Sequence, residues 1–253
     1  MGNDLLFFAG GLLAGVVNTL AGNGSAITLT LLLGSGLNGS VANATNRIGV
    51  LAQTLTAILS VRPSARKRFL VRASRRLALP TFAGSLLGAV AGSLAPPKFM
   101  EASIAVVMTL MLFTLFTKPS RWLSTGTRRN AGLQTWLTFF AIGFYGGFVQ
   151  MGIGILMLSA LVLVERWTLR DANVIKLIMA FLLAAPATFV YLFLGEISWG
   201  PALWLAVGSA LGAWIGARYV VRIPAAQPAV RWVVFAAVVF GAGRAIWNLV
   251  AGA

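Results

Sequence analysis

Apolar positions dominate the chain, grouped into stretches over roughly 4–33, 39–61, 77–95, 99–117, 133–165, 170–194, 198–221 and 229–250. A membrane-crossing helix needs about 20 such residues. Two stretches, 4–33 and 133–165, are too long for one comfortable crossing: about 30 residues of helix rise about 45 Å, against about 30 Å of hydrocarbon. Each holds a glycine-rich interruption near its middle, AGNGS at 21–25 and QMGIG at 150–154. The pattern predicts that each folds back as a helix–break–helix hairpin rather than crossing. The other six stretches read as full crossings.

The halves echo each other. GNG at 22–24 recurs as GIG at 152–154, and Ala42-Asn43 recurs as Ala172-Asn173, both at an offset of 130. The spaced glycines Gly84, Gly88 and Gly92 are echoed by Gly208, Gly212 and Gly216. Matches in the same order point to an internal duplication. The expected organisation is an N-terminal repeat (1–117), a basic linker (118–132) and a C-terminal repeat (133–253).

Charge orients these repeats. Basic residues cluster in RPSARKRFLVRASRR (62–76), read as a cytoplasmic loop, with further basic segments at 118–132 and 218–231. The stretches 95–102 and 194–201 lack such an excess and read as external. The loop after the second stretch is strongly positive, while its counterpart at 194–201 is not. The halves then face opposite ways, which requires an odd number of crossings in each. The expected fold is therefore an all-α integral membrane protein of two inverted repeats, each a Gly-broken helical hairpin plus three transmembrane helices, with both termini outside. If 4–33 and 133–165 were unbroken rods, the halves would be parallel instead.

Composition narrows the chemistry. The chain is 58% hydrophobic and 10% charged, too little charge to cover a water-facing globule. With no Cys and no His, disulfides, Cys nucleophiles, His acid–base chemistry and zinc sites are excluded. Five carboxylates against 20 Lys and Arg leave thin material for a carboxylate metal cage or paired-acid catalysis. No cofactor is expected. The net charge of +15 sits mostly between apolar runs, as in membrane-protein loops, and not as a nucleic-acid footprint. No positive n-region precedes the first stretch, so it does not read as a signal peptide.

Irregular backbone at membrane depth is tolerated only inside protein or beside a wet cavity. It also exposes half-helix N-termini, whose free N–H groups attract anions. Asn23, Gly24 and Ser25 at one break and Gln150, Gly152 and Gly154 at the other are candidate anion-site residues; close helix packing is the alternative role for such glycines. Two cations fall inside apolar stretches. Arg47 lies one turn from Asn43 and beside Asn46, and Lys176 lies one turn from Asn173. A cation with amide donors on one face suits a small oxyanion; snorkelling to headgroups is the competing role. The spaced glycines of 84–92 and 208–216 are read as packing positions, and Trp122, Trp199, Trp204 and Trp232 as interfacial belt residues.

These motifs together resemble the TauE/SafE family of sulfite exporters. The resemblance rests on the Gly-rich break, LNGSVANATNRIGVL (37–51), the basic segment and the glycine-spaced helix, repeated as GGFVQMGIGILMLSALVL (146–163) and TLRDANVIKLIM (168–179). It covers nearly the whole chain. Family members usually carry a longer glycine run and a proline after each break, which this chain lacks at its first break. The resemblance implies a transporter exporting small sulfur-containing anions (sulfite, sulfonates, sulfoacetate) across a bacterial inner membrane, and the inverted repeats and broken helices point to alternating access as its mechanism. The alternatives are uptake of thiosulfate or another organosulfur anion, an anion channel, a membrane-embedded enzyme, and a non-transporting assembly subunit. A homodimer is compatible with the sequence.

Overall fold

The computed structural model describes residues 2–20, 22–116, 132–219, 232, 235–243 and 246–247. Among these the chain is helical throughout its regular structure. The elements are α1 (Gly2–Leu20), α2 (Gly24–Gly34), α3 (Gly39–Ser60), α4 (Ala65–Ser93), α5 (Pro97–Phe116), α6 (Leu133–Phe148), α7 (Ile153–Ser159), α8 (Leu169–Phe193) and α9 (Trp199–Arg218), with a π-helical turn (Ala160–Val164) closing α7.

Both overlong stretches are broken. α1 ends at Leu20 and α2 starts at Gly24; α6 ends at Phe148 and α7 starts at Ile153. A left-handed glycine sits in each gap, Gly22 at φ 82° and Gly152 at φ 68°. L-residues with a Cβ avoid that region, so glycine is the residue that turns the chain there without strain.

One sequence expectation is corrected. The basic segment 62–76 is not a loop: α4 starts at Ala65 and carries Arg66 to Arg76 on its first turns. The Ser64 side chain caps it, accepting from the Lys67 amide at 3.0 Å, and Ala, Arg, Lys and Leu are good helix formers. At 29 residues α4 is about 43 Å long, enough to cross hydrocarbon and project a basic stem beyond it. Most of 118–132 and 218–231, with Trp122, lies outside the described residues.

The polarity of the molecule is inverted relative to a water-soluble globule. Large apolar side chains cover the outside, Leu59, Leu79, Leu94 and Phe193 among them, while Asn43, Arg47, Gln53 and Lys176 are buried. A surface of this kind needs lipid against it. Three described helices are long and apolar enough to span a bilayer: 3–20, 169–193 and 199–218. The protein is a multi-pass membrane protein. Trp199, Trp204 and Trp232 are exposed, as belt residues would be.

Helix α1 packs along α9, and α6 along α4. Lipid offers no hydrophobic drive between helices, so close backbone approach matters. A Cβ at Gly208 or Gly212 would meet the carbonyl oxygens of Phe8 or Leu12 at 2.1 and 1.9 Å; at Gly84 or Gly88 it would meet those of Phe140 or Phe144 at 2.2 and 1.9 Å. These glycines have the packing role expected of them. Two ion pairs tie the basic stem of α4 to the second half: Arg66 with Asp171, and Arg76 with Glu165, which also accepts from the Thr135 hydroxyl at 2.7 Å.

Gly88→Ala and Gly212→Ala should each destabilise the protein by about 1–3 kcal/mol, because backbone must move to admit the methyl group. Gly200→Ala, with nothing within 4 Å of its added Cβ, should leave the thermal midpoint in detergent unchanged. Equal midpoints for all three variants would refute this account of the interfaces.

Candidate functional site

The two breaks lie against each other. A Cβ on Gly154 would come within 2.2 Å of the Gly22 Cα, and one on Gly22 within 2.5 Å of the Gly154 Cα. Only residues without side chains allow this approach. Beside the contact is a small cavity, open on one side. Its polar lining is Asn18, Ser25, Thr54, Gln150 and Lys176; Val50, Ile153, Leu177 and Leu183 supply apolar wall. None of the lining residues is a carboxylate.

Both buried cations turn inward. Arg47 is 0% exposed and Lys176 2%, which removes the snorkelling alternative. Their partners are backbone carbonyls at the ends of the broken helices. Arg47 Nη1 donates to the Gly146 carbonyl at 3.2 Å, and Nη2 to the Phe148 carbonyl at 3.3 Å and to that of Gly147. Asn43 Nδ2 donates to the same Phe148 carbonyl at 2.8 Å, and Asn43 Oδ1 accepts from the Gln150 amide at 3.3 Å. The last carbonyls of a helix have no partner within it and carry the negative end of its dipole. Arg47 and Asn43 together cap α6. Lys176 Nζ donates to the Asn18 carbonyl, in the last turn of α1, at 3.4 Å.

Of the residues expected from sequence, Ser25, Gln150, Gly154 and Lys176 come together on the cavity. Asn43 and Arg47 stand behind it, on the end of α6. Asn46 accepts a hydrogen bond from the Thr28 hydroxyl and so ties α3 to α2. Asn23, Gly24, Gly152 and Asn173 do not line the cavity. Gly24 faces α1, its added Cβ meeting the Ala14 carbonyl at 2.1 Å, and Gly152 faces Met111. Asn18 and Thr54 line the cavity too and were not among the residues expected from sequence; their helical register relative to the breaks was the available signal. Tyr145, whose hydroxyl donates to the Met151 carbonyl at 2.9 Å inside the second break, was missed altogether. An aromatic in an apolar run gives no such signal.

A buried ammonium among neutral dipoles, with no acid nearby, can hold a small anion. It offers no nucleophile with a base and no metal cage; no cluster of three or more His, Cys, Asp or Glu exists among the described residues. Fold and site thus define a multi-pass membrane protein with a polar cavity beside its two helix breaks. Residues 7–245 match the sulfite exporter TauE/SafE family, and the chain belongs to it. It is a membrane transporter of that family and not an enzyme. Similar proteins include the "Probable membrane transporter protein ORF9" of Sinorhizobium sp, 25% identical over 84% of this chain and 81% of its own. A "Probable membrane transporter protein" of Haemophilus influenzae is 29% identical over 87% of both chains. The "Probable membrane transporter protein YfcA" of Escherichia coli K12 is 23% identical over 85% of this chain and 80% of its own. No solved structure matches.

Arg47→Met would strip three buried carbonyls of their shared donor, at a cost of about 3 kcal/mol. The expected result is a clearly lowered unfolding midpoint in detergent, partly recovered in Arg47→Lys. A midpoint equal to wild type would show that other groups hold the end of α6.

Proposed function

We propose that the protein exports small sulfur-containing anions (sulfite, sulfonates or sulfoacetate) across a bacterial inner membrane, binding them in the cavity between the two breaks. The single observation that carries the reading is Lys176: a buried cation on a cavity wall without a carboxylate, keeping hydrogen-bonding capacity beyond its one contact. Ser25, at the start of α2, and Gln150, just before α7, line the same cavity. The N-terminal N–H groups of α2 add positive potential beside it.

The mechanism we infer is alternating access between two oppositely oriented repeats. Three observations support it. The packing of α1 on α9 is mirrored by that of α6 on α4. Glycines Gly208 and Gly212 meet the backbone of Phe8 and Leu12 as Gly84 and Gly88 meet that of Phe140 and Phe144. The cation of each half donates to the helix end of the other, Arg47 to Phe148 and Lys176 to Asn18. In such a fold one hairpin with its partner helix rocks against the rest, opening the cavity to either side in turn. With the cell interior negative, outward movement of one anion is favoured by about 2.3 kcal/mol per 100 mV, so export requires no carboxylate proton relay.

Proteoliposomes loaded with radiolabelled sulfite test this. Efflux should exceed that of protein-free vesicles, saturate with internal sulfite, and accelerate under an inside-negative potassium diffusion potential. Lys176→Gln should lower the initial rate by at least about tenfold, the factor for loss of about 1.4 kcal/mol of charge interaction. Wild-type efflux no faster than the protein-free leak would refute the reading.

A further inference from the structure

Arg47 and Lys176 stand one position out of register at the 130-residue offset, yet meet the same kind of partner, a carbonyl in the last turn before the other half's break. They differ in what is left over. Both Nη nitrogens of Arg47 are engaged by α6, its guanidinium carbon lies 4.6 Å from the Tyr191 ring centroid, and it does not reach the cavity wall. The negative end of the α6 dipole lies against its charge. Lys176 makes one long hydrogen bond and lines the cavity. Gln150, 2% exposed, lines it too, with its Oε1 buried and lacking a partner. The cavity wall therefore presents one cation, neutral dipoles and one amide oxygen, an acceptor that can meet the hydroxyl of a protonated oxyanion.

We infer that this cavity selects a singly charged tetrahedral or pyramidal oxyanion, of the sulfonate or hydrogensulfite type, over a dianion of the same size. The inference rests on the sulfur-anion reading and narrows it. The cost of stripping water from an ion grows with the square of its charge, so a dianion pays about four times the monoanion's penalty. Its attraction to a single fixed cation only doubles, since that term is linear in charge. One ammonium neutralises a monoanion; a dianion leaves one uncompensated charge in an apolar-walled space. Arg47 does not make up the difference: both its Nη nitrogens are held by the helix end, its Nε is buried without a partner, and the side chain does not line the cavity. The residue that sets this charge preference is Lys176, while Arg47 acts as a positioning residue for the second break.

Methanesulfonate and sulfate are the discriminating probes, near-equal in size and different in charge. Purified full-length protein in lipid nanodiscs is titrated with each by calorimetry, at matched pH and ionic strength. Methanesulfonate should bind at least about tenfold tighter than sulfate. Lys176→Gln and Lys176→Met should each weaken methanesulfonate binding by a similar factor and erase the preference. Sulfate binding as tightly as methanesulfonate in the wild type overturns the inference and leaves the sulfur-anion reading standing. Failure of both probes to bind overturns the two together. A preference that persists in either Lys176 variant overturns the assignment to Lys176.

Discussion

The two helix breaks in this protein's interior answer one constraint: backbone N–H and C=O groups freed inside hydrocarbon must find partners. Each unsatisfied group costs several kcal/mol there, and water is absent. Two helices are nevertheless interrupted, at Leu20 to Gly24 and Phe148 to Ile153. The chain meets the cost with side chains that would otherwise be too polar to bury. Arg47 and Asn43 cap α6, Lys176 caps α1, and the Tyr145 hydroxyl holds the Met151 carbonyl. Burying a cation in a membrane and breaking a helix in a membrane are each unfavourable alone. Combined, each satisfies the other.

That exchange works only if the breaks come close to the facing helices, and glycine makes the approach possible. Gly22 and Gly154 touch backbone to backbone. Along the outer faces, Gly84, Gly88, Gly208 and Gly212 let helix pairs approach until carbonyl oxygens lie where a Cβ would be. In the absence of a hydrophobic drive, this close packing is what holds the helices around the site. Near the ends of the helices the chemistry changes. There the ion pairs of Arg66 with Asp171 and Arg76 with Glu165 form, and they tie the long basic stem of α4 to the first turn of α8 and to the residue that ends the π-helical turn before it.

The breaks were legible in the sequence because they violate a length rule and carry glycine, two signals that survive without coordinates. The presence of buried cations was legible for a similar reason: Arg47 and Lys176 interrupt apolar runs. What those cations touch was not, because a carbonyl acceptor is the same for every residue and leaves no trace in the sequence. The anion-site expectation therefore grouped Asn23, Asn43, Arg47 and Asn173 with Ser25, Gln150, Gly154 and Lys176, whereas only the last four share the cavity. The start of α4 was misread for a different reason. Charge density in 62–76 resembled a loop, but its residues are good helix formers behind a serine cap, and local propensity prevailed.

The choice of arginine in one half and lysine in the other has a physical logic. A guanidinium is a rigid fork with five donors, suited to spanning several fixed acceptors at once. The three carbonyls ending α6 are such a set, and lysine could not reach them all with the same geometry. An ammonium is a compact charge on a flexible stem, able to hold one carbonyl and still turn toward a ligand. Arg47 is thus framework for the second break, while Lys176, with one hydrogen bond, remains on the cavity wall. The interior uses both: a fork that holds the end of α6 in place, and a compact charge that satisfies the end of α1 with a single contact.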